Sequence, residues 1–256
     1  MDKPTSSLNV DGKEVQVLPG ELLLDVLKKL GVDIPTLCNH EGLEPVGSCR
    51  LCIVEVKERN RNRLVASCIY PAQRATEVRT NSPRVKAARQ FLFNLLLARN
   101  GDNESIRQLA ARYGIVRSKR LPVRPDKCTL CLRCVRACAT QGIGAIGTSF
   151  RGRQKEVGPP FGDPPENCIG CAACARVCPA GAIEVKEKNN IREIWGQEFV
   201  LVRCERCGEA FATRKQLDWI EKELGQEVDK KLCPRCRQRA QAESMTKVGR
   251  NKREVN

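Results

Sequence analysis

Cys128-Thr129-Leu130-Cys131-Leu132-Arg133-Cys134-Val135-Arg136-Ala137-Cys138 and, 29 residues later, Cys168-Ile169-Gly170-Cys171-Ala172-Ala173-Cys174-Ala175-Arg176-Val177-Cys178-Pro179 decide the reading of this 256-residue chain. Both follow one pattern, Cys-x2-Cys-x2-Cys-x3-Cys. Three thiolates so closely spaced suit three corners of a 4Fe–4S cube, and in doubled runs of this kind the fourth cysteine ligates the other cube. The expected ligand sets are Cys128, Cys131, Cys134 and Cys178 for one cube, and Cys168, Cys171, Cys174 and Cys138 for the other. Pro179 closes the second run, whereas Ala139 stands at that place in the first. That difference touches local turn shape and not ligation.

Outward from these runs, the sixteen cysteines fall into four groups of four with none left over. The N-terminus, Met1-Asp2-Lys3-Pro4, lacks the apolar core of a signal peptide, and no apolar run approaches the roughly 20 residues of a membrane helix. A cytoplasmic location is expected, where thiols stay reduced and clustered cysteines bind metal. The formal charge of +15 assumes neutral thiols; four tetrathiolate sites at about −2 each leave roughly +7, a weak argument for a nucleic-acid partner.

The first group is Cys38-x10-Cys49-x2-Cys52-x15-Cys68. Ahead of it, Leu8–Val17 alternates around Asp11-Gly12, a strong hairpin signal because both turn residues need positive φ. A helix is expected over Glu21–Leu30, with Leu23, Val26, Leu27 and Leu30 on one face and Gly31 as its C-terminal cap. Ile53–Val56 and Leu64–Ala66 read as further strand. This hairpin–helix–strand order suits a β-grasp domain, and four thiolates suit a 2Fe–2S cluster, two per iron. Gly47 permits close backbone approach at the central Cys-x2-Cys loop. His40 lies two residues after Cys38, but a histidine-ligated centre of the Rieske kind needs two histidines and the chain has one. It is read as a structural or supporting residue.

The stretches Ile34–His40 and Pro45–Cys52 resemble the 2Fe–2S domain of the large iron–sulfur subunit of NADH dehydrogenase (complex I), a domain that also begins iron-only hydrogenases and NAD-linked hydrogenase diaphorase subunits. The doubled run resembles the bacterial two-cluster ferredoxin. Between them, Val85, Ala88, Leu92, Leu95 and Leu96 recur at helical spacing, and a second helix is expected over Glu104–Tyr113. In the complex I family this region carries one histidine and three cysteines for a further 4Fe–4S cluster. Here Leu95-Leu96-Leu97-Ala98-Arg99-Asn100 passes directly to Gly101-Asp102-Asn103-Glu104; the exit motif Gln108–Ile115 is retained, and the flanking helices look kept with the ligands gone. The resemblance therefore implies that this cluster is absent.

Beyond the resemblance, Cys204-x2-Cys207 and Cys233-x2-Cys236 stand 25 residues apart, with Gly208 after the first pair. Two such knuckles suit tetrahedral zinc, although four thiolates could hold another 4Fe–4S cube. Phe199–Val202 reads as strand, Leu217–Leu224 as helix, Val157–Pro165 as a surface loop, and the last dozen residues as a polar, frayed end. Gly142–Gly147 loosely imitates a phosphate-binding loop, but its place after Cys138 assigns it to the turn and strand of the repeat. No nucleotide or flavin site is visible. Arg50, Arg133, Arg136 and Arg176 lie near the cysteine runs, where they can raise potentials, steer partners or form ordinary solvated faces.

The expected architecture is α+β: a 2Fe–2S domain over residues 1–78, a helical domain over 79–120, a two-cluster 4Fe–4S domain over 121–190, a four-cysteine metal module over 191–245 and a basic tail over 246–256. The resemblance implies an electron-transfer subunit of a soluble NAD(P)H-linked oxidoreductase of the hydrogenase, formate dehydrogenase or transhydrogenase type. It would work between a flavoprotein and another redox subunit, with no catalytic site of its own. A nucleic-acid-binding or scaffold protein with structural clusters and zinc is the alternative.

Overall fold

The computed structural model describes residues 6–124, 126–228 and 231–251; of the basic tail, only the backbone of 246–251 falls among them. Strands β1 (Ser6–Val10) and β2 (Lys13–Val17) form the expected hairpin, with φ of 47° at Asp11 and 90° at Gly12. Helix α1 (Leu23–Lys29) buries Leu23, Leu24, Val26 and Leu27 against the sheet. Its end is a Schellman motif: Gly31 N–H donates to the Lys28 carbonyl and Val32 N–H to that of Leu27, at 2.9 and 3.0 Å. Leu30, expected on the buried face, is 41% exposed because it lies past the last helical turn, and Leu24 takes its place.

Strands β3 (Ile53–Glu58), β4 (Arg61–Ala66) and β5 (Glu77–Arg79) complete a sheet in the order β2-β1-β5-β3-β4. β1 and β5 run parallel and the other pairs antiparallel, the β-grasp arrangement. Three residues of β5 are too few to show alternation in a sequence.

Helix α2 (Pro83–Arg99) starts at Ser82, whose hydroxyl accepts from Val85 N–H, and α3 (Glu104–Arg112) starts at Asn103, whose side chain accepts from Ile106 N–H. The buried line of α2 is Val85, Arg89, Phe93 and Leu97, while Leu95 is 44% exposed. The buried stripe is thus rotated from the expected one. Arg89 explains the difference: its guanidinium donates to the Ile53 carbonyl at 2.7 Å, so a charged residue lies on the core face of α2.

The doubled cysteine runs supply α4 (Arg133–Thr140) and α5 (Ala173–Arg176), with a small hairpin of β6 (Gly147–Ser149) and β7 (Glu156–Gly158) between them. Part of the expected Val157–Pro165 loop is therefore strand. Strands β8 (Lys186–Lys188), β9 (Ile191–Ile194), β10 (Gln197–Arg203) and β11 (Ala210–Thr213) form an antiparallel sheet in the order β11-β10-β9-β8. This sheet straddles residue 190, so the repeat and the C-terminal module are fused where the sequence suggests a boundary. Ile194 and Phe199 share one buried cluster with Ile143, Ile146, Ile169, Cys134, Cys168 and Cys174. Helices α6 (Arg214–Leu224) and α7 (Pro234–Asn251) follow, and α7 continues as helix through backbone whose composition suggests fraying. Among the described residues no helix is long and apolar enough to cross a membrane.

Candidate iron–sulfur and metal centres

The loop between α1 and β3 carries Cys38, Cys49 and Cys52, and the turn directly after β4 brings Cys68 to them. Cys38, Cys52 and Cys68 are buried and Cys49 is partly so. Hydrogen bonds from Cys49 and Cys68 hold the Cys38 thiol far below its ordinary range, and the same contact with Cys38 pushes Cys49 and Cys68 up. Cys52 contacts Cys68 in turn and is lowered to about 7. The four sulfurs therefore form one chain of contacts, as four ligands of a compact cluster require. Cys49 N–H also donates to Cys38 Sγ at 3.5 Å, the kind of backbone donor that supports a thiolate. Gly47 has φ of 61°, and a Cβ there would stand 2.6 Å from Ile69 Cδ1. His40 spends Nδ1 on the N–H of Gly42, at 3.1 Å, and closes a local turn.

Identical local geometry builds the two later runs. Leu130 and Leu132 have φ of 54° and 62°; Gly170 and Ala172, their counterparts, have 67° and 59°. These left-handed residues turn N–H groups inward, so Leu130 donates to Cys128 Sγ at 3.4 Å and Gly170 to Cys168 Sγ at 3.5 Å. Each helix then starts two residues after the second cysteine of its run, with left-handed Leu132 or Ala172 as its N-cap. Burial pushes Cys128 up, with Cys131 and Cys178 as the thiols adding to the effect; burial takes Cys134 to about 12, again beside Cys131, Cys128 and Cys178. In the other half, burial raises Cys168 with Cys171 and Cys138 as neighbours. Cys138, Cys168, Cys171 and Cys174 line a single apolar cavity. The fourth cysteine of each run thus lies with the opposite run, and both donor sets fit a 4Fe–4S cube.

A packed joint connects the first two sites. Cys38, Cys49 and Cys131 share a cluster with Leu37, Leu51 and Phe93. From α4, Arg133 donates to the Asn39 carbonyl, and Arg136 donates to the carbonyls of Cys38 and Glu44. Their place beside the cysteine runs suggests a part in potential or steering; the structure shows them clamping α4 to the Cys38 loop. Hydrogen bonds to backbone carbonyls leave no sequence signature, so this role is not legible in the sequence.

At the C-terminal site, Cys204, Cys207, Cys233 and Cys236 place their sulfurs within 4.8 Å of one another. Gly208, φ 73°, closes the first knuckle by donating to the Cys204 carbonyl at 2.8 Å. Backbone N–H donors lower the Cys204 thiol to about 6, and burial raises Cys236 to about 12.

Residues 4–83 match the 2Fe-2S iron-sulfur cluster binding domain family, and residues 167–213 match the 4Fe-4S dicluster domain family. The second match covers Cys168–Cys178 and reaches Cys204 and Cys207, leaving the run Cys128–Cys138 outside it. The NADP-reducing hydrogenase subunit HndD of Solidesulfovibrio fructosivorans is 35% identical over 210 residues, 69% of this chain and 35% of that protein. The mitochondrial NADH-ubiquinone oxidoreductase 78 kDa subunit of Neurospora crassa is 33% identical over 59% of this chain and 24% of its own length. A chain from the crystal structure of NAD+-reducing [NiFe]-hydrogenase in the H2-reduced state superposes with a TM-score of 0.60 at 28% identity, covering 69% of this chain and 85% of that one. The chain is a homologue of all three. It carries the 2Fe–2S and 4Fe–4S domains expected from the cysteine spacing, and it spans about a third or less of the curated relatives it matches.

Proposed function

We propose that this chain is an iron–sulfur relay subunit of a multisubunit NAD(P)H-linked oxidoreductase. It exchanges single electrons with a flavoprotein on one side and a further redox subunit on the other. The observation that carries the reading is the joint in which Cys38 and Cys49 share a buried cluster with Cys131. Two cluster sites built into one hydrophobic core suit transfer, whereas structural staples would sit in separate modules. When bound, each cluster takes up and gives back one electron, while a pyridine nucleotide delivers a hydride, so a flavin partner is needed between them. The residues of the chain hold the sites by thiolate, support the thiolates with backbone N–H groups and exclude water by burial. Homology to hydrogenase and complex I chains does not favour the nucleic-acid or scaffold alternative.

The ligand sets proposed are Cys38, Cys49, Cys52 and Cys68 for a 2Fe–2S cluster, and the two crossed sets of the repeat for 4Fe–4S cubes. For Cys204, Cys207, Cys233 and Cys236 we propose zinc. Tetrahedral Zn–S bonds of about 2.3 Å separate sulfurs by about 3.8 Å; Cys207 Sγ and Cys233 Sγ lie 3.9 Å apart. A cube gives each thiolate its own iron and spreads the four sulfurs more widely than one ion does.

Anaerobically reconstituted protein should hold about ten iron and one zinc. About fourteen iron without zinc would move the last site to a third cube, and fewer than about eight would sink the three-cluster reading. The isolated chain should not oxidise NADH or NADPH with an artificial acceptor, and a flavin-bearing partner should make its 2Fe–2S signal reducible by nucleotide. Turnover by flavin-free single chain would overturn the relay reading.

A further inference from the structure

Among the described residues two arginines are buried, and they are buried differently. Arg192, 4% exposed, has a carboxylate against it: Glu187 Oε1 lies 2.7 Å from its guanidinium. Arg89, 8% exposed, has none among the described residues. Its Nη2 donates to the Ile53 carbonyl at 2.7 Å, and its buried Nε has no hydrogen-bond partner. The carboxylates on the elements around it are engaged elsewhere: Glu55 with Arg84, Asp11 with Thr80, and Asp33 with Arg112 and Tyr113. A cation taken out of water without a counter-charge is costly, and a fold that keeps one there has an anion to set against it.

The hydrogen bond alone does not account for the charge. Ser67 N–H donates to the Cys52 carbonyl, so the Ile53 carbonyl faces away from β4, and the register of β5 along β3 reaches only to Glu55. That carbonyl needs one donor, which a neutral side-chain amide could supply.

The position of Arg89 shows where the anion is. Ile53 directly follows Cys52, and the Cys52 carbonyl is held by the N–H and hydroxyl of Ser67, the neighbour of Cys68. One turn further along the same buried line of α2, Phe93 shares a cluster with Cys38, Cys49 and Leu51. The guanidinium therefore lies behind the wall that carries all four cysteines of the first site. Arg50, between Cys49 and Cys52, is nearer in sequence, but it is exposed and solvent screens it.

We propose that Arg89 is the counter-charge of the 2Fe–2S centre and raises its reduction potential. Four thiolates and the cluster together carry about −2 when oxidised and about −3 when reduced. A fixed cation in a dry interior favours the more negative state, and the electron with it. Electrons reaching the first site are held there more firmly than the four cysteines alone would hold them. This inference rests on the ligand set proposed for Cys38, Cys49, Cys52 and Cys68.

The test uses the full chain with all clusters loaded, in a redox titration followed by electron paramagnetic resonance. R89Q keeps an N–H donor for the Ile53 carbonyl and removes the charge. Its 2Fe–2S midpoint should fall, lowering the reduced-to-oxidised ratio at fixed potential by about tenfold, or about 59 mV for one electron. R89K should keep the wild-type midpoint. The R89Q shift should persist at high salt, whereas any shift in R50Q should shrink. An unchanged 2Fe–2S midpoint in R89Q, or an equal fall in R89K, would overturn the proposal. Should R89Q fail to load, R89K decides: loading with an unshifted midpoint supports the counter-charge, and any other result makes Arg89 a packing residue and overturns it. A loaded wild-type chain without a 2Fe–2S signal would instead defeat the ligand set beneath it.

Discussion

Single atoms at two glycines test how tightly the chain closes on its sites. Gly47 has φ of 61° and Ile69 Cδ1 2.6 Å from where a Cβ would lie; G47A should destabilise the 2Fe–2S domain by about 1–2 kcal/mol, read as earlier thermal bleaching of its chromophore. Gly170 combines φ of 67° with the Phe199 ring at 2.5 Å. An aromatic ring pinned in a core yields less than the end of an isoleucine, so G170A should cost about 3 kcal/mol in urea unfolding. The crossed ligand sets make a sharper forecast. Replacing Cys178 with Ser should perturb the cube of Cys128, Cys131 and Cys134, and replacing Cys138 should perturb the other. Damage confined to each substituted run's own cube would refute the assignment. That these cysteines gather is legible from spacing, because a shared site demands residue type and interval together. Phe199 on Gly170 is not, since a contact between a distant ring and a bare backbone leaves no pattern in either segment.

Among elements, the loop between α2 and α3 shows what stands where the complex I family carries cluster ligands. Asn100 is 1% exposed and donates to the Asp126 carbonyl at 2.6 Å, while Arg99 donates to the Cys128 carbonyl at 2.9 Å. Asn103 caps α3 and donates to the Ala180 carbonyl at 2.7 Å, tying the helical pair to the end of the second run. N103A should therefore lose a cap and a tether, about 1–2 kcal/mol in all, whereas N103D should keep the cap and lose the tether alone; equal losses in both would deny the cap its share. The hairpin at Asp11-Gly12 and the Gly31 helix end are legible because positive φ restricts the choice of residue. The buried line of α2 is not, because Arg89 is charged by composition and buried by its bond to Ile53. Of the β8–β11 sheet the sequence shows one strand, because its first two strands are short and largely polar.

For the whole molecule, the C-terminal site stands apart in what it supports. Among the described residues, Cys204, Cys233 and Cys236 make a small buried cluster with Phe211 and Leu232 packed against it, too little apolar surface to hold α7 without a metal. A zinc chelator should strip one metal, leave the iron count unchanged and release α7 as a loss of helical circular dichroism; loss of iron in parallel would mean the sites are not independent. The β8–β11 sheet should survive, since Thr213 Oγ1 donates to the Ile169 carbonyl at 2.5 Å and Arg192 Nη1 to the Gly170 carbonyl at 2.8 Å, both away from the four cysteines of the proposed zinc site. At the other end, the clamp of Arg133 and Arg136 on the Cys38 loop has a kinetic meaning. Two redox sites on separate domains must wait for a productive encounter, and the wait lengthens as the solvent thickens. Here the first two cysteine sets are already docked by side chains reaching from one helix to the carbonyls of a neighbouring loop. Exchange between them should be indifferent to glycerol and to salt, so any viscosity or ionic-strength dependence measured in the proposed multisubunit complex would belong to the encounter with other subunits.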